Sequence, residues 1–376
     1  MVLCNVYAVY IKIMNNENQT IHKSDDNLTI YGWNEKLNQL KQESIYSTLA
    51  HGRVSIVHRT CYEVISGNGL FQCELTGNMM YGKSDDELPC TGDWVIFQPF
   101  DEHKGIIVDR LPRERTLYRK KSGTVADKQA IASYVDKAFI VQSLDDNFNV
   151  RRVERFMVQI MEENISSVLV LNKADLDFDR QSVEEQIKHI SSQIPVFFTS
   201  IHQLETIVRL RKSISEGETV VFVGSSGVGK SSLVNALCEK PVLLTSDISL
   251  STGKGRHTST RREMVLMDSS GVLIDTPGVR EFGLAIDNPD SLAEVLEISD
   301  YAELCRFKDC KHINEPGCAV IEAVNSGALD SKVYASYLKL RREAWHFSAS
   351  EHEKRKKEKS FTKLVEEVKN RKDASR

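Results

Sequence analysis

The sequence predicts a multidomain protein in which a small β-barrel precedes an α/β domain with a mostly parallel sheet, followed by a helical region. Three observations support this architecture. Short runs rich in β-forming residues fill residues 51–112. From about Val135, apolar strands alternate with amphipathic helices. After Gly283 the chain becomes helical, interrupted by a cluster of cysteines and a histidine.

Length and composition are those of ordinary globular domains. At roughly 100–200 residues per domain, the chain corresponds to two or three domains. Its hydrophobic content of 41% allows substantial cores, and its net charge of −4 gives no sign of a nucleic-acid partner. Residues 341–376 differ, because they contain 12 Lys/Arg against 7 Asp/Glu. This excess fits a solvated helical tail and a phosphate-contacting tail equally well.

The sequence also indicates where the protein resides. It has no uninterrupted apolar run of about 18 residues, so no transmembrane helix is expected. The apolar N-terminus lacks a basic leader and a cleavage site, which argues against a signal peptide. Eight cysteines are too few for a disulfide scaffold in a chain of this length. We therefore expect a cytoplasmic protein with no membrane partner.

The N-terminal part divides into an extension and a barrel. Residues 1–50 form an extension of unknown role, in which 34–49 could form a short helix with Leu37, Leu40 and Ile45 on one side. Residues 51–112 contain about five short strands separated by turn residues, namely RVSIVHR, CYEVI, LFQCELTG, DWVIFQPF and KGIIVDRL. This pattern predicts an OB-fold, with an SH3-like barrel as the alternative.

A phosphate-binding loop lies at residues 224–231, where GSSGVGKS fills every fixed position of G-x-x-x-x-G-K-[ST] between a strand and a helix. Its backbone N–H groups and the following helix N-terminus are suited to cradle phosphates. We expect Lys230 to reach the β- and γ-phosphates and Ser231 to bind Mg²⁺. The expected nucleotide contacts in this segment are Gly224, Ser225, Ser226, Gly227, Val228, Gly229, Lys230, Ser231 and Ser232.

Two further motifs accompany the phosphate loop, and the first of them selects guanine nucleotides. Asn172, Lys173 and Asp175 form an NKxD motif after a buried strand, and the Asp175 carboxylate can accept both guanine N–H donors. Asp275 and Gly278 form a DxxG motif, in which Asp275 would hold Mg²⁺ and Gly278 would sense the γ-phosphate. The Thr199-Ser200 pair falls where GTPases often have a Ser-Ala pair at the base, which is a weak signal.

The order of these motifs is unusual. A conventional GTPase runs from the phosphate loop through the switch threonine and DxxG to NKxD, whereas here NKAD comes first and DTPG last. The sequence therefore predicts a circularly permuted α/β P-loop GTPase domain, since function depends on site geometry rather than chain order. The switch region would then lead directly into the C-terminal domain and transmit nucleotide state to it.

The segment between the phosphate loop and DTPG has the polar, glycine-bearing composition of a mobile switch. Either Thr258 or Thr260 could coordinate Mg²⁺ when the γ-phosphate is present. The position after the DxxG glycine, where many GTPases carry a glutamine, is Val279, which cannot orient water. We expect His257 in the switch to do so, with Lys230 as the second catalytic group.

A metal site is predicted in the C-terminal region. Cys305, Cys310, His312 and Cys318 supply four ligands within fourteen residues, and three thiolates with one imidazole suit tetrahedral zinc. With no position left for water, the zinc is expected to be structural, with one ion per chain. The expected domains are the extension at 1–50, the OB-fold at 51–112, the GTPase domain at 113–285, and a helical zinc-binding domain with a basic tail at 286–376.

The motifs GSSGVGKSSLVN, GRHTST, DTPGVREFGL and EPGCAV, arranged behind a β-barrel, resemble those of the RsgA (YjeQ/YloQ) family over roughly residues 51–376. The resemblance implies a GTPase that is stimulated by the small ribosomal subunit, binds its rRNA, assists its late maturation and takes part in releasing assembly factors. It also implies that His257 is catalytic. Thr199-Ser200 departs from the family's usual Ser-Ala, and residues 1–50 are longer than in many relatives.

Three classes of function are compatible with a phosphate loop. The first is a ribosome-assembly GTPase, expected to act as a monomer. The second is a nucleotide-gated rRNA-binding module with negligible turnover. The third is a P-loop kinase, which the combination of NKAD and DTPG argues against. GTP turnover with and without small subunits separates the first two.

Overall fold

Of the 376 residues, the computed structural model describes 26–82, 84, 86–120, 128–239, 262–268, 271–275 and 290–348. Its first globular unit is a barrel of five strands: β1 (Ala50–Val57), β2 (Tyr62–Ser66), β3 (Gly69–Leu75), β4 (Trp94–Asp101) and β5 (Lys104–Arg110). The strand order is β1-β2-β3-β5-β4, and β4 pairs back onto β1. This closed barrel, in which β3 and β5 are parallel, is an OB-fold, so the SH3-like alternative is wrong.

Side chains along the barrel strands alternate between buried and exposed, and the buried ones fill the barrel. In β3, for example, Phe71 and Cys73 are buried, whereas Gln72 and Glu74, the residues that follow each of them, are exposed. A short helix (Gly77–Gly82) follows β3. It is labelled α3 because two helices of the N-terminal extension precede it in the chain. The apolar interior consists mainly of Val54, Val64, Phe71, Cys73, Val95, Phe97 and Ile107.

The extension packs on the outside of the barrel with helices α1 (Asp26–Thr29) and α2 (Glu35–Glu43). The side chain of Asn34 caps α2 by accepting a hydrogen bond from the backbone of Leu37. The helix ends at Glu43 rather than near residue 49, because Ser44 adopts an extended conformation. Ile45 is consequently 88% exposed, so its expected place on the apolar side is wrong.

The α/β domain follows a hairpin of β6 (Leu117–Lys120) and β7 (Lys128–Ala132). Its six strands are β8 (Lys137–Ser143), β9 (Ser166–Asn172), β10 (Val196–Thr199), β11 (Thr219–Val223), β12 (Glu263–Leu266) and β13 (Val272–Asp275). They lie in the order β10-β9-β8-β11-β13-β12, and all neighbours are parallel except β12 and β13. The central strands are buried along their length because helices cover both faces of the sheet.

Helices connect these strands and continue to the C-terminal region. Those of the α/β domain are α4 (Val150–Glu162), α5 (Arg180–Gln186), α6 (Lys188–Ser191), α7 (Leu204–Arg211) and α8 (Lys230–Leu237). Those of the C-terminal region are α9 (Asp290–Val295), α10 (Ser299–Ala302), α11 (Ala319–Ser326) and α12 (Ser331–Ser348). None of the helices in these described segments is long and apolar enough to cross a membrane.

The C-terminal helices pack directly on α4. Leu292 and Leu296 share one continuous core with Phe156 and Met157 of that helix. A polar contact flanks this core, where Arg155 of α4 forms a 2.9 Å ion pair with Glu343 of α12. The direct connection expected between the DTPG motif and this region falls on residues 276–289, which lie outside the described residues. Of the basic segment expected at 341–376, residues 341–348 form the end of α12, and 349–376 lie outside the described residues.

The barrel and the α/β sheet are joined through strand pairing. β1 pairs with β12 at Ile56 and Glu263, so a single sheet of 11 strands runs through both domains. Thr91, in the turn before β4, also donates a hydrogen bond to the backbone carbonyl of Arg262 at 3.5 Å. The strand that follows the switch segment is therefore in contact with the barrel.

The side chain of Arg53 is the principal polar connection between the domains. It is 1% exposed and lies on β1, next to the ring of Trp94. Burial lowers its pKa to about 10, which leaves it charged at neutral pH. Its guanidinium donates to backbone carbonyls or side-chain oxygens of Tyr31, Gly92, Ser133, Tyr134 and Thr219. The guanidinium of Arg53 thus donates hydrogen bonds to four parts of the chain: the extension, the barrel, the connecting hairpin and the first residue of β11.

Arg53→Ala is expected to destabilise the junction by about 3 kcal/mol, because it leaves several buried acceptors without a donor. Urea unfolding followed by tryptophan fluorescence measures this, since Trp33 and Trp94 both lie at the junction. Arg59→Ala, at an exposed turn position after β1, is the matched control. Equal unfolding free energies for the two variants would show that Arg53 does not hold the junction together.

Candidate functional site

The carboxyl ends of the parallel strands form one edge of the sheet, where ligands of open α/β sheets bind. The phosphate loop follows β11, the NKAD segment follows β9, and Thr199 ends β10. Because β10, β9, β8 and β11 are consecutive neighbours, these segments lie side by side. The motifs that are scattered along the chain therefore meet at a single site.

The phosphate loop has the backbone that its glycines permit. Gly224 and Gly229 adopt φ values of +151° and +91°, which residues with a Cβ rarely tolerate. The loop leads into α8 at Lys230, so Ser231 and Ser232 lie in the first helical turn. The Lys230 amino group donates to the carbonyls of Gly224 and Ser225, both at 2.7 Å, and is thereby held over the loop.

Asn172 joins the NKAD segment to the phosphate loop. Its amide donates to the carbonyl of Val228 at 2.9 Å, although the two residues are 56 positions apart. Its side-chain oxygen accepts a hydrogen bond from Thr199 at 3.2 Å. A Cβ at Gly229 would come within 2.4 Å of the Asn172 amide nitrogen, so this glycine is required by the contact as well as by its φ.

Asp175 is exposed at the sheet edge, where a ligand can reach it. The hydroxyl of Ser200 donates to its carboxylate, and this hydrogen bond lowers the pKa of Asp175. The backbone of Ser200 is fixed by a 3.0 Å hydrogen bond to Thr206 at the start of α7. Thr199 and Ser200, a weak signal in the sequence, thus each contact one residue of the NKAD segment.

The magnesium and switch residues are only partly described. Asp275 is the last residue of β13, which pairs with β11, the strand that leads into the phosphate loop, up to Ile274 and Val221. The expected positions of His257, Thr258, Thr260 and Gly278 lie outside the described residues.

The connection between β8 and α4, residues 144–149, also contributes to the site, which sequence reasoning missed. Asp145 accepts a 2.8 Å hydrogen bond from the amino group of Lys173. Arg152, in the first turn of α4, donates to the Ser225 hydroxyl at 3.0 Å. Neither residue belongs to a recognised motif, and the only sequence signal was their position after a buried strand of the parallel sheet.

The cysteine cluster forms a compact group in the C-terminal region. The ligand atoms of Cys305, Cys310, His312 and Cys318 all lie within 4.8 Å of one another. Sγ of Cys305 and Sγ of Cys318 are 3.9 Å apart, and His312 Nδ1 lies 3.4 Å and 3.5 Å from them. Tetrahedral zinc requires about 3.8 Å between two sulfurs and about 3.5 Å between sulfur and nitrogen. The residues therefore fit a zinc ion.

The surroundings of His312 prepare it as a ligand. Burial lowers its pKa, which favours the neutral ring that a metal needs. Its backbone adopts φ +54°, and its carbonyl accepts a 2.6 Å hydrogen bond from Tyr334. Glu315 closes the neighbouring turn by accepting backbone hydrogen bonds from Lys311, Ile313 and Asn314, which lower its pKa to about 2.

A phosphate loop, an NKxD segment that precedes it, and a permuted strand order behind an OB-fold define a circularly permuted GTPase. The family model described as RsgA GTPase matches residues 110–285. The small ribosomal subunit biogenesis GTPase RsgA 1 of Bacteroides thetaiotaomicron is 76% identical over 359 residues, which cover 96% of this chain and 99% of that protein. The chain belongs to the RsgA GTPase family.

Other comparisons agree with this assignment. The RsgA of Methanosarcina acetivorans is 38% identical, covering 87% of this chain and 89% of that protein. The crystal structure of YjeQ from Thermotoga maritima is similar, with a TM-score of 0.59 and 27% identity over 78% of this chain and 98% of that one. YloQ, described as a circularly permuted GTPase, shares the fold with a TM-score of 0.60 and 22% identity over 82% and 99%.

A second family model, described as ABC transporter, matches residues 207–370. This range contains the phosphate loop, which ATPases and GTPases share. It excludes the NKAD segment, so it does not contain the residues expected to recognise the base.

Cys310→Ser is expected to reduce the bound zinc well below one ion per chain and to raise hydrogen exchange around residues 305–318, because three ligands hold zinc less tightly than four. Metal analysis and hydrogen exchange measure the two effects. Cys61→Ser, the same change at a partly exposed cysteine outside the cluster, should leave both unchanged. Full zinc occupancy in the Cys310 variant would contradict the four-ligand site.

Proposed function

We propose that this protein is a GTPase that binds the small ribosomal subunit, assists its late maturation, and is stimulated by it. The observation that carries the proposal is the hydrogen bond from Asn172 to Val228, which assembles a guanine-type base segment on a phosphate loop. The name of the relative that is 76% identical, a small ribosomal subunit biogenesis GTPase, supports the same partner for this chain.

In the proposed complex, Asp175 accepts the N1–H and exocyclic amine of guanine, with Asn172 and Lys173 supporting that segment. The loop from Gly224 to Ser232 wraps the phosphates, and Lys230 moves from its two carbonyl acceptors to the β- and γ-phosphates. Ser231 and Asp275 bind Mg²⁺ together with Thr258 or Thr260, and Gly278 contacts the γ-phosphate.

The domains on either side of the α/β domain supply the proposed partner surfaces. The barrel exposes Phe100 on β4 and Ile106 on β5, near Lys104. An exposed aromatic ring near a basic side chain is a feature of proteins that bind single-stranded nucleic acid, and it supports an rRNA contact here, although Lys104 also pairs with Asp101. We also propose that the protein is a cytoplasmic monomer with one structural zinc per chain, and that it takes part in releasing assembly factors.

His257 is proposed to orient the water that attacks the γ-phosphate, because Val279 has no polar group for this task. His257→Ala should retain binding of GTP and of the small subunit but lose most subunit-stimulated hydrolysis. Phosphate release measured with purified small subunits, large subunits and neither determines this. Hydrolysis by the wild-type protein should increase when small subunits are added and should not increase when large subunits are added.

Two results would contradict parts of this proposal. Stimulated hydrolysis at the wild-type rate in the His257 variant would remove this residue from the mechanism. The other result is nucleotide-dependent binding of small subunits by the wild-type protein without GTP turnover. It would support the alternative function, a nucleotide-gated rRNA-binding module.

Asp175→Asn should weaken GTP binding by about tenfold or more, because a charge-assisted hydrogen bond is worth roughly 1.5–3 kcal/mol. Xanthosine triphosphate should gain affinity relative to GTP, since the amide complements its changed donor pattern. Calorimetric titration with both nucleotides measures the change. Asp177→Asn, an exposed position two residues away, is the control, and unchanged GTP affinity in the Asp175 variant would exclude its role.

A further inference from the structure

The connection between β8 and α4, together with the first turn of α4, reaches both the base side and the phosphate side of the nucleotide site. On the base side, Asp145 accepts a 2.8 Å hydrogen bond from Lys173. On the phosphate side, Arg152 bridges the carbonyl of Asn147 and the hydroxyl of Ser225. No motif includes the connection or Arg152, yet together they contact two of the motifs.

Asp145 is itself held in place by its own neighbours. One carboxylate oxygen accepts hydrogen bonds from the Ser143 hydroxyl at 2.7 Å and the Asn147 backbone at 3.0 Å. The other oxygen is thereby directed at Lys173. Burial alone would raise the pKa of Asp145, but the hydrogen bonds from Lys173 and Ser143 outweigh it and lower the pKa to about 2. The group is a carboxylate at any pH near neutrality.

Lys173 is the residue whose freedom this contact removes. Its backbone has φ +61°, and it lies between Asn172, which holds the phosphate loop, and the exposed segment containing Asp175. A lysine has four rotatable side-chain bonds, so fixing its amino group also fixes the path of its methylene stem. With the backbone and the amino group both held, the stem has fewer conformations open to it than a free lysine has.

We propose that Asp145 is a positioning residue for guanine nucleotides: it anchors Lys173 so that the lysine stem forms a pre-organised wall against the base. The inference rests on the GTPase assignment and concerns ground-state binding alone. Because guanine is common to GTP and GDP, both should depend on Asp145 to the same degree. The loss on substitution should therefore fall on KM rather than on kcat.

Asp145→Asn is the isosteric test, since it keeps the side chain's shape and replaces the carboxylate by an amide. The expected result is about fivefold weaker binding of both GTP and GDP, in line with a partly exposed ion pair. Calorimetric titration of the full chain measures both, and needs no ribosomal subunits. Asp146→Asn, at the exposed neighbouring position, is the matched control and should bind as the wild type does.

A double-mutant cycle distinguishes positioning from a merely structural role. In a Lys173→Met background, which keeps the stem and removes the charge, Asp145→Asn should cause no further loss. The same fivefold loss in that background would overturn the proposal, as would a GTP affinity equal to that of the Asp146 variant. Failure of the wild-type protein to bind guanine nucleotides would instead count against the GTPase assignment, so the two failures are distinguishable.

Discussion

The buried guanidinium of Arg53 is the contact on which the arrangement of the domains depends. An arginine presents five N–H donors in a fixed plane, and here its acceptors come from the extension, the barrel, the connecting hairpin and the strand that leads to the phosphate loop. A charge without water is costly unless its hydrogen bonds are satisfied, so these parts must be in place together. The extension, which has no evident role in the sequence, supplies one of the acceptors.

The same junction joins the barrel to the sheet that carries the nucleotide site. Thr219 accepts from Arg53 and begins β11, which ends at the phosphate loop. On the other side, β12 pairs with β1 of the barrel. Two strands that flank the nucleotide site are therefore in direct contact with the proposed RNA-binding domain. The C-terminal region contacts a different element, α4, whose first turn touches the phosphate loop through Arg152.

Permutation leaves the site intact because a parallel sheet collects its loops at one edge, whatever the order of the strands along the chain. The hydrogen bond from Asn172 to Val228 shows this most directly, since it joins segments that have exchanged their usual order. The four residues of the Cys3His cluster, the candidate zinc ligands, behave differently. They are close in sequence, so their spacing alone indicated the site, and the structure added the distances and the hydrogen bonds that hold His312.

The sequence by itself determined the motifs, the strand and helix alternation, the barrel's strand count and the Cys3His cluster that could hold zinc, because each is a local pattern whose meaning depends on neighbouring residues. The choice of an OB-fold over an SH3-like barrel required strand pairing, in particular β3 with β5. The end of α2 at Glu43 depended on the conformation of Ser44. The contacts of Arg53, Asp145 and Arg152 could not be inferred from the sequence, since none of these residues lies in a motif. Their partners are brought to them only by the tertiary fold, where burial and a fixed geometry give a single hydrogen bond its effect.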